Sequence, residues 1–498
     1  MRKFWKKYHK WVGLVFSFFI VAFCVSGIIL NHRTVFTSCD ISRSWMPNGY
    51  QYEHWNNGIV RGTRPIGDKV LCYGNAGVWQ TDSCFSHFVD YNRGIKDGAD
   101  NRKISNIVEL PDGSVWAAGL YDLYRLEGDE WKTWAVGEND DRITDVTSRG
   151  DTLVVVTRSL VYSATGDHKS FGKHQLKAPE GYSPEVSLFR QTWLLHSGEL
   201  FGTPGKLVVD ALALVLIFFC LTGWVYLLSP KWIKRRVKQK KNPKPMTETM
   251  KFSTKWHNKL GIWLFIPTLI LAVTGMSLRP PMMIPLAISS SKPLPFSTLD
   301  SENPWHDKLR ALRWDAAENL WIMSTSAGIH SFADFDAVPV RLKAPLVSPM
   351  GINVFEKNAE GEWLIGSFSG LKRWNFRTGE IRDYFTGEPD KRVFGRPVAS
   401  IAVSGFSQHL VLADEVVFDY SRGARTRTLE RLETVEMPEE MALQPMSLWN
   451  FALELHVGRC YSPFLFGIFS ELFVFLSGLT LALVLVSGYV IRIRKKKK

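Results

Sequence analysis

Tyr8-His9-Lys10-Trp11-Val12-Gly13, followed by the apolar run Leu14 to Leu30, decides the fold because it is written twice. The second copy is Trp256-His257-Asn258-Lys259-Leu260-Gly261, followed by Ile262 to Leu278. No gap is needed to align them. His9, Gly13 and Gly27 repeat as His257, Gly261 and Gly275 with identical spacing. In an α-helix the histidine and the second glycine of each copy stand five turns apart on one face. Each copy therefore predicts an apolar helix that starts on a histidine and carries a glycine track below it.

A second element repeats as well. His196-Ser197-Gly198 leads through Phe201-Gly202 into an apolar run ending at Gly223-Trp224-Val225-Tyr226. His456-Val457-Gly458 leads through Phe466-Gly467 into one ending at Gly488-Tyr489-Val490. The chain is a duplication of helix, long insert, helix. Each of the four runs is long enough for a hydrocarbon core of about 30 Å, which needs about 20 residues. The mean hydropathy of −0.07 resembles that of a soluble protein only because two polar inserts dilute these runs.

Charge orients the runs. The formal net charge is +13 over 498 residues. Residues 1–10, residues 229–259 and the tail from Arg492 together hold 22 Lys/Arg and one Glu, so they carry +21 and the rest of the chain carries −8. The basic excess flanks the apolar runs on alternating sides, the positive-inside pattern. This location argues against nucleic-acid binding and places both termini and the central loop in the cytoplasm. The expected order is a helix within 1–31, an outer β-rich insert over 32–205, a helix over 206–228 and a basic loop over 229–256. A helix over 257–279, a second outer β-rich insert over 280–463, a helix over 464–491 and a basic tail over 492–498 complete it. The first run is too long for a signal-peptide core, and its copy lies mid-chain, so it reads as an uncleaved helix.

The inserts carry their own repeat. Gly113-Ser114-Val115-Trp116, Glu318-Asn319-Leu320-Trp321 and Gly361-Glu362-Trp363-Leu364 each lead to a glycine and then to an aromatic residue. Weaker copies run from Gly67 to Trp79, Gly150 to Tyr162 and Ser407 to Tyr420. The spacing of about 40–45 residues is that of a propeller blade. The predicted fold class is a membrane α plus β protein. Its helical part is a four-transmembrane-helix bundle made from a duplicated two-helix unit, and its outer part is a β-rich, propeller-like region formed from both inserts. Two separate small β-domains are the alternative.

Six cysteines include no CxxC or CxxCH, so covalently attached haem and zinc ribbons are unsupported. The candidate disulfide is Cys72–Cys84. No GxGxxG or phosphate loop stands where a dinucleotide site needs one. A flavin or nicotinamide site is therefore not expected, and an electron donor has to come from elsewhere.

Four of twelve histidines occupy the duplicated membrane edges. His9 and His257 start helices on the cytoplasmic side, and His196 and His456 precede helices on the outer side. A pseudo-twofold axis that superposes the halves brings each pair to one central point from opposite sides. Two axial imidazoles are what a six-coordinate haem iron requires of a protein. The expected cofactor is haem b, two per chain, with Gly13, Gly27, Gly261 and Gly275 letting the flat ring approach the helices. Arg33, Arg279 and Arg459 lie at the outer edge, where propionates emerge. His32 is a reserve ligand, since its counterpart in the other half is Pro280. Glu471 and Asp210 are ionisable groups in apolar runs without matched partners. His54, His87, His168 and His330 read as surface residues.

His-Lys-Trp-Val-Gly-Leu before the first helix, Ser-Gly-x-x-Leu-Asn-His ending at His32, His-Ser-Gly at 196 and Trp-His-Asn-Lys-Leu-Gly at 256 resemble the PepSY-associated transmembrane family. The resemblance covers the helices and their flanks, roughly a quarter of the chain. It implies a bacterial inner-membrane protein, with His9, His257, His196 and His456 as axial ligands, similar to ferric-siderophore reductases. The family often carries small α/β domains where this chain shows propeller-like repeats. Two functions compete. One is transfer of electrons from a cytoplasmic or membrane donor to a periplasmic ferric chelate or protein acceptor. The other is a non-enzymatic sensor or scaffold that the helices anchor to the lipid bilayer.

Overall fold

The structure is a computed structural model and describes residues 2–136, 141–348, 351–390, 399–410, 415–432 and 436–496. Part of the stretch from Ser407 to Tyr420 and the last two residues of the basic tail lie outside these. The chain divides into two compact units, and each gathers segments distant in sequence. The helical unit comprises Met1–Phe36, Pro184–Asp300 and Leu448–Lys498, and the β unit comprises Thr37–Ser183 and Ser301–Ser447.

The helical unit contains α1 (Arg2–Asn31), α2 (Leu188–Ser197), α3 (Gly202–Lys238), α4 (Lys244–Trp263), α5 (Phe265–Ser277) and α6 (Met283–Ile288). The short α7 (Glu439–Ala442) belongs to the β unit, and α8 (Leu448–His456) and α9 (Ile468–Lys496) return to the helical one. Three stretches, Lys3–Asn31, Glu199–Lys238 and Ile468–Arg492, are each long and apolar enough to cross a membrane. The expected single helix over 257–279 is instead two helices, α4 and α5, bent by 71° at Leu264. Pro267 in the first turn of α5 accounts for the break. Proline has no N–H for the carbonyl four residues back, and its ring clashes with that carbonyl. The matched position in α1 is Phe19, and α1 stays whole. The basic loop expected over 229–256 shrinks to residues 239–243, because α3 and α4 both extend into it.

α1 packs on α3, α8 and α9, α5 packs on α2 and α9, and α3 packs on α4. Ile20, Cys24, Ala213, Leu216 and Cys220 are the buried centre of this bundle. Many other apolar side chains, among them Phe18, Leu214, Ile266 and Phe469, point outward and are exposed. Helices with an apolar outer face and a small buried seam suit a lipid surround, where the driving force between helices is packing.

Among the described residues the β unit holds six antiparallel meander sheets, spanning residues 62–90, 106–134, 143–174, 309–341, 354–383 and 403–425. The first strand of each sheet packs on the first strand of the next, and that of the sixth on that of the first. Trp116, Trp321 and Trp363 all lie in the second strand of their sheets and are buried. The first strands supply an inner polar network. Arg64 Nη2 donates to Glu356 Oε1 (2.7 Å), Arg313 pairs with Asp145, and the hydroxyls of Thr63 and Ser407 meet at 2.6 Å. These three contacts join residues of the first insert to residues of the second, so the two inserts make one body.

Two expectations are corrected here. Cys72 and Cys84 form no disulfide. Cys72 is buried in a core cluster of the first sheet, whereas Cys84 is exposed in the turn between the third and fourth strands of that sheet. His168 and His330 are buried rather than on the surface, while His54 and His87 are exposed as expected. Each buried ring sits against a tryptophan, His168 on Trp116 at 5.5 Å and His330 on Trp305 at 5.0 Å.

Candidate functional site

The four matched histidines come together as two pairs. The ring centres of His9 and His257 are 6.2 Å apart. Those of His196 and His456 are 6.1 Å apart. α1 and α4 supply the first pair. The second pair stands on two short helices: His196 lies in the last turn of α2, and His456 ends α8. Both helices stop at a glycine two residues beyond the histidine, Gly198 at φ 80° and Gly458 at φ 81°. This left-handed conformation costs glycine little and other residues more.

Each ring is held from behind by one of the long helices or by α5. His9 Nδ1 is 3.0 Å from both Ser487 Oγ and Val484 O. His257 Nδ1 is 2.8 Å from Thr222 Oγ1. His196 Nδ1 is 3.2 Å from both Thr274 Oγ1 and Leu271 O. His456 Nδ1 is 3.0 Å from both Ser26 Oγ and Phe23 O.

These partners fix the tautomer. A hydroxyl has one proton to donate. Ser26, Thr222, Thr274 and Ser487 each donate theirs to a carbonyl of their own helix, at 2.7, 2.7, 2.8 and 2.7 Å. Their oxygens can then only accept from the imidazole, as can the backbone carbonyls. Nδ1 therefore carries the proton on every ring, and Nε2 keeps its lone pair. That is the neutral form in which histidine binds a metal. A metal–imidazole bond of about 2.0 Å plus about 1.1 Å from nitrogen to ring centre, doubled, gives about 6.2 Å. Both pairs stand at that ring-centre spacing.

The glycines next to these hydroxyls give the rings room. A Cβ on Gly275 would come within 2.7 Å of His196 Cε1, one on Gly488 within 3.0 Å of His9 Cε1, and one on Gly27 within 3.3 Å of His456 Cε1. A Cβ on Gly223 would meet nothing within 4 Å. The second glycine of each copy lies against a histidine of another helix. Gly27 seats His456, and Gly275 seats His196. A Cβ on Gly13 or Gly261 would make only ordinary contacts, with Val484 at 3.7 Å and Phe219 at 4.0 Å.

The remaining candidates have partners of their own. His32 Nε2 is 2.6 Å from Asp210 Oδ2, and Asn31 bridges the other oxygen of Asp210 to the Ser197 carbonyl. Arg33 lies over the Trp449 ring at 3.8 Å. Arg279 donates to the Val457 carbonyl, beside His456, and Arg459 pairs with Glu454. Among the described residues no group of three or more His, Cys, Asp or Glu could hold a metal ion. The sequence reading missed Ser26, Thr222, Thr274 and Ser487. The available signal was that each directly precedes a glycine at matched positions in both halves.

A family model described as the PepSY-associated TM region matches residues 1–229 and again residues 225–495. The double match follows the internal duplication. No curated protein matches the chain. Among solved structures, the extracellular domain of BT4673 from B. thetaiotaomicron aligns at 9% identity and a TM-score of 0.35, covering 74% of this chain and 32% of that one. The extracellular domain of BT3049 from the same organism aligns at 10% identity and a TM-score of 0.33, covering 74% and 39%. The dihydro-heme d1 dehydrogenase NirN in complex with DHE aligns at 10% identity and a TM-score of 0.26, covering 74% and 54%. The chain thus spans less than two thirds of each of these proteins.

Proposed function

Because the chain belongs to the PepSY-associated transmembrane family, and because its four matched histidines stand as two anchored pairs, we propose that it is a b-type haem protein. In this reading it carries electrons across a bacterial inner membrane to an acceptor on the periplasmic side, a ferric chelate such as a ferric siderophore. The observation that carries the reading is the pairing itself: two imidazoles about 6 Å apart, each with Nδ1 hydrogen-bonded by a neighbouring helix.

Haem b supplies reversible one-electron exchange at iron. The chain's residues have separate tasks. His9 with His257, and His196 with His456, would hold the two haem irons. Arg279 and Arg459 stand beside the outer pair, where guanidinium groups suit propionate carboxylates. Eighteen residues of α1 separate His9 from Gly27, which seats His456. At 1.5 Å per residue that is about 27 Å, close to the depth of the hydrocarbon core. One pair then serves each face of the membrane, with α4 and α5 together as the fourth span. Basic flanks at residues 1–10 and 229–259 favour cytoplasmic termini. The six sheets, each packed on the next, are read as the blades of one six-bladed propeller that receives the acceptor or a partner protein. The electron donor is a cytoplasmic or membrane component.

The test is the spectrum of protein purified after haem-replete expression. A Soret band with sharp α-bands on reduction is expected, with two haems per chain. His9→Ala and His257→Ala should deplete the same haem, and His196→Ala and His456→Ala the other. A colourless wild type refutes the reading and leaves a membrane-anchored sensor or scaffold. Four variants that keep two unaltered six-coordinate haems refute the ligand assignment.

A further inference from the structure

One element recurs around all four histidines and extends beyond the ligands themselves. A serine or threonine is followed by a glycine, at Ser26-Gly27, Thr222-Gly223, Thr274-Gly275 and Ser487-Gly488. In every case the hydroxyl spends its proton on its own helix and turns its oxygen to an imidazole Nδ1, at 3.0, 2.8, 3.2 and 3.0 Å. All four residues are buried, with Ser26 and Ser487 fully so. A fifth pair, Ser477-Gly478, provides the contrast. A Cβ on Gly478 would come within 2.6 Å of Met276 Cβ, and Ser477 Oγ has no hydrogen-bond partner. The motif faces a histidine only where a histidine pair exists.

We propose that Ser26, Thr222, Thr274 and Ser487 are positioning residues that lock each histidine in the Nδ1–H tautomer and set the potential of the metal centre its pair holds. The proposal deepens the haem reading and rests on it. An acceptor on Nδ1–H draws the proton outward and makes the ring a stronger donor at Nε2. A stronger donor stabilises the more highly charged, oxidised metal. Removing the hydroxyl weakens the donor, so the midpoint potential should rise. Losing a tenfold preference for the oxidised state would raise it by about 59 mV for one electron.

The experiment is a redox titration of the haem-loaded full chain. The variants are Ser26→Ala, Thr222→Ala, Thr274→Ala and Ser487→Ala, with Ser477→Ala as control. Each of the four should raise the potential of one centre while haem content stays near wild type, and Ser477→Ala should leave both centres unmoved. Ser26→Thr and Thr222→Ser, which keep the hydroxyl, should restore the wild-type potential. Haem-free protein gives an independent readout. Histidine ¹⁵N shifts should report Nδ1–H on all four rings of the wild type, and a displaced Nδ1 resonance on the ring facing each alanine, which has lost one of its acceptors. Unmoved potentials, or an equal shift in Ser477→Ala, overturn the proposal. Wild-type rings that populate both tautomers overturn it too, even where an alanine variant fails to fold. A wild type that binds no haem instead overturns the electron-transfer reading, and the ¹⁵N shifts still decide the tautomer.

Discussion

Adding one methyl group at each of the four glycines that follow the histidine-facing hydroxyls should produce a graded loss of haem, from severe to none. All four lie in helices with ordinary backbone angles, so alanine fits the backbone and gains about 1 kcal/mol of helix propensity. The cost comes from the ring opposite. At Gly275 the new Cβ would stand 2.7 Å from His196 Cε1, 3.3 Å from Nδ1 and 3.4 Å from Nε2. Ordinary contact begins near 3.4 Å, so the ring must retreat by about 0.7 Å. Its two Nδ1 bonds are already at 3.2 Å, and a retreat of that size breaks them. At about 0.5–1.5 kcal/mol each, the loss is about 1–3 kcal/mol, or roughly 5- to 150-fold in affinity. At Gly488 the first clash is 3.0 Å and at Gly27 it is 3.3 Å, while at Gly223 there is none within 4 Å. The expected order of damage is therefore Gly275→Ala, then Gly488→Ala, then Gly27→Ala, with Gly223→Ala neutral or slightly stabilising. Haem per protein and the thermal midpoint of the detergent-solubilised chain measure both sides of the balance. If Gly223→Ala loses as much haem as Gly275→Ala, or Gly275→Ala keeps wild-type content, the seating argument fails.

The β unit allows further expectations. Trp116→Ala, Trp321→Ala and Trp363→Ala each remove a fully packed ring and should cost about 3–5 kcal/mol, lowering the thermal transition of the β unit and sparing haem content. Burial alone would raise the Glu356 carboxyl, but the Arg64 guanidinium with its hydrogen bond, helped by Arg313 and His409, holds it below the ordinary glutamate range. A depressed folded-state value contributes stability above the unfolded value that is lost as pH falls through the folded one. The β-unit transition should accordingly fall on acidification below the ordinary glutamate range, and Glu356→Gln should flatten that dependence. At neutral pH the same variant should destabilise by about 1–3 kcal/mol, because it replaces the charged acceptor of Arg64, which keeps its bonds to Ile107, Thr63 and Asn106. Reporter fusions after residues 100 and 350 should behave as external and one near residue 242 as internal; an internal result at 100 would overturn the topology.

The sequence alone determined a good deal. The four apolar runs, their basic flanks and the ungapped duplication are properties of one chain read along its length. Symmetry then made the pairing of His9 with His257 and of His196 with His456 legible, because an axis that superposes two halves must superpose matched residues. The recurring glycine–tryptophan units foretold strands for the same reason: local turn chemistry repeats wherever the local structure does. The broken third segment was written as Pro267, yet proline at that position ends, bends or leaves a helix according to what surrounds it. Only the tertiary structure decided what stands opposite each glycine and hydroxyl. Gly27 lies on the same helix as His9 but seats His456, which is 429 residues further along. Helical periodicity fixes which residues share a face. Which face meets which neighbour is settled by packing between helices, and no spacing along the chain records it.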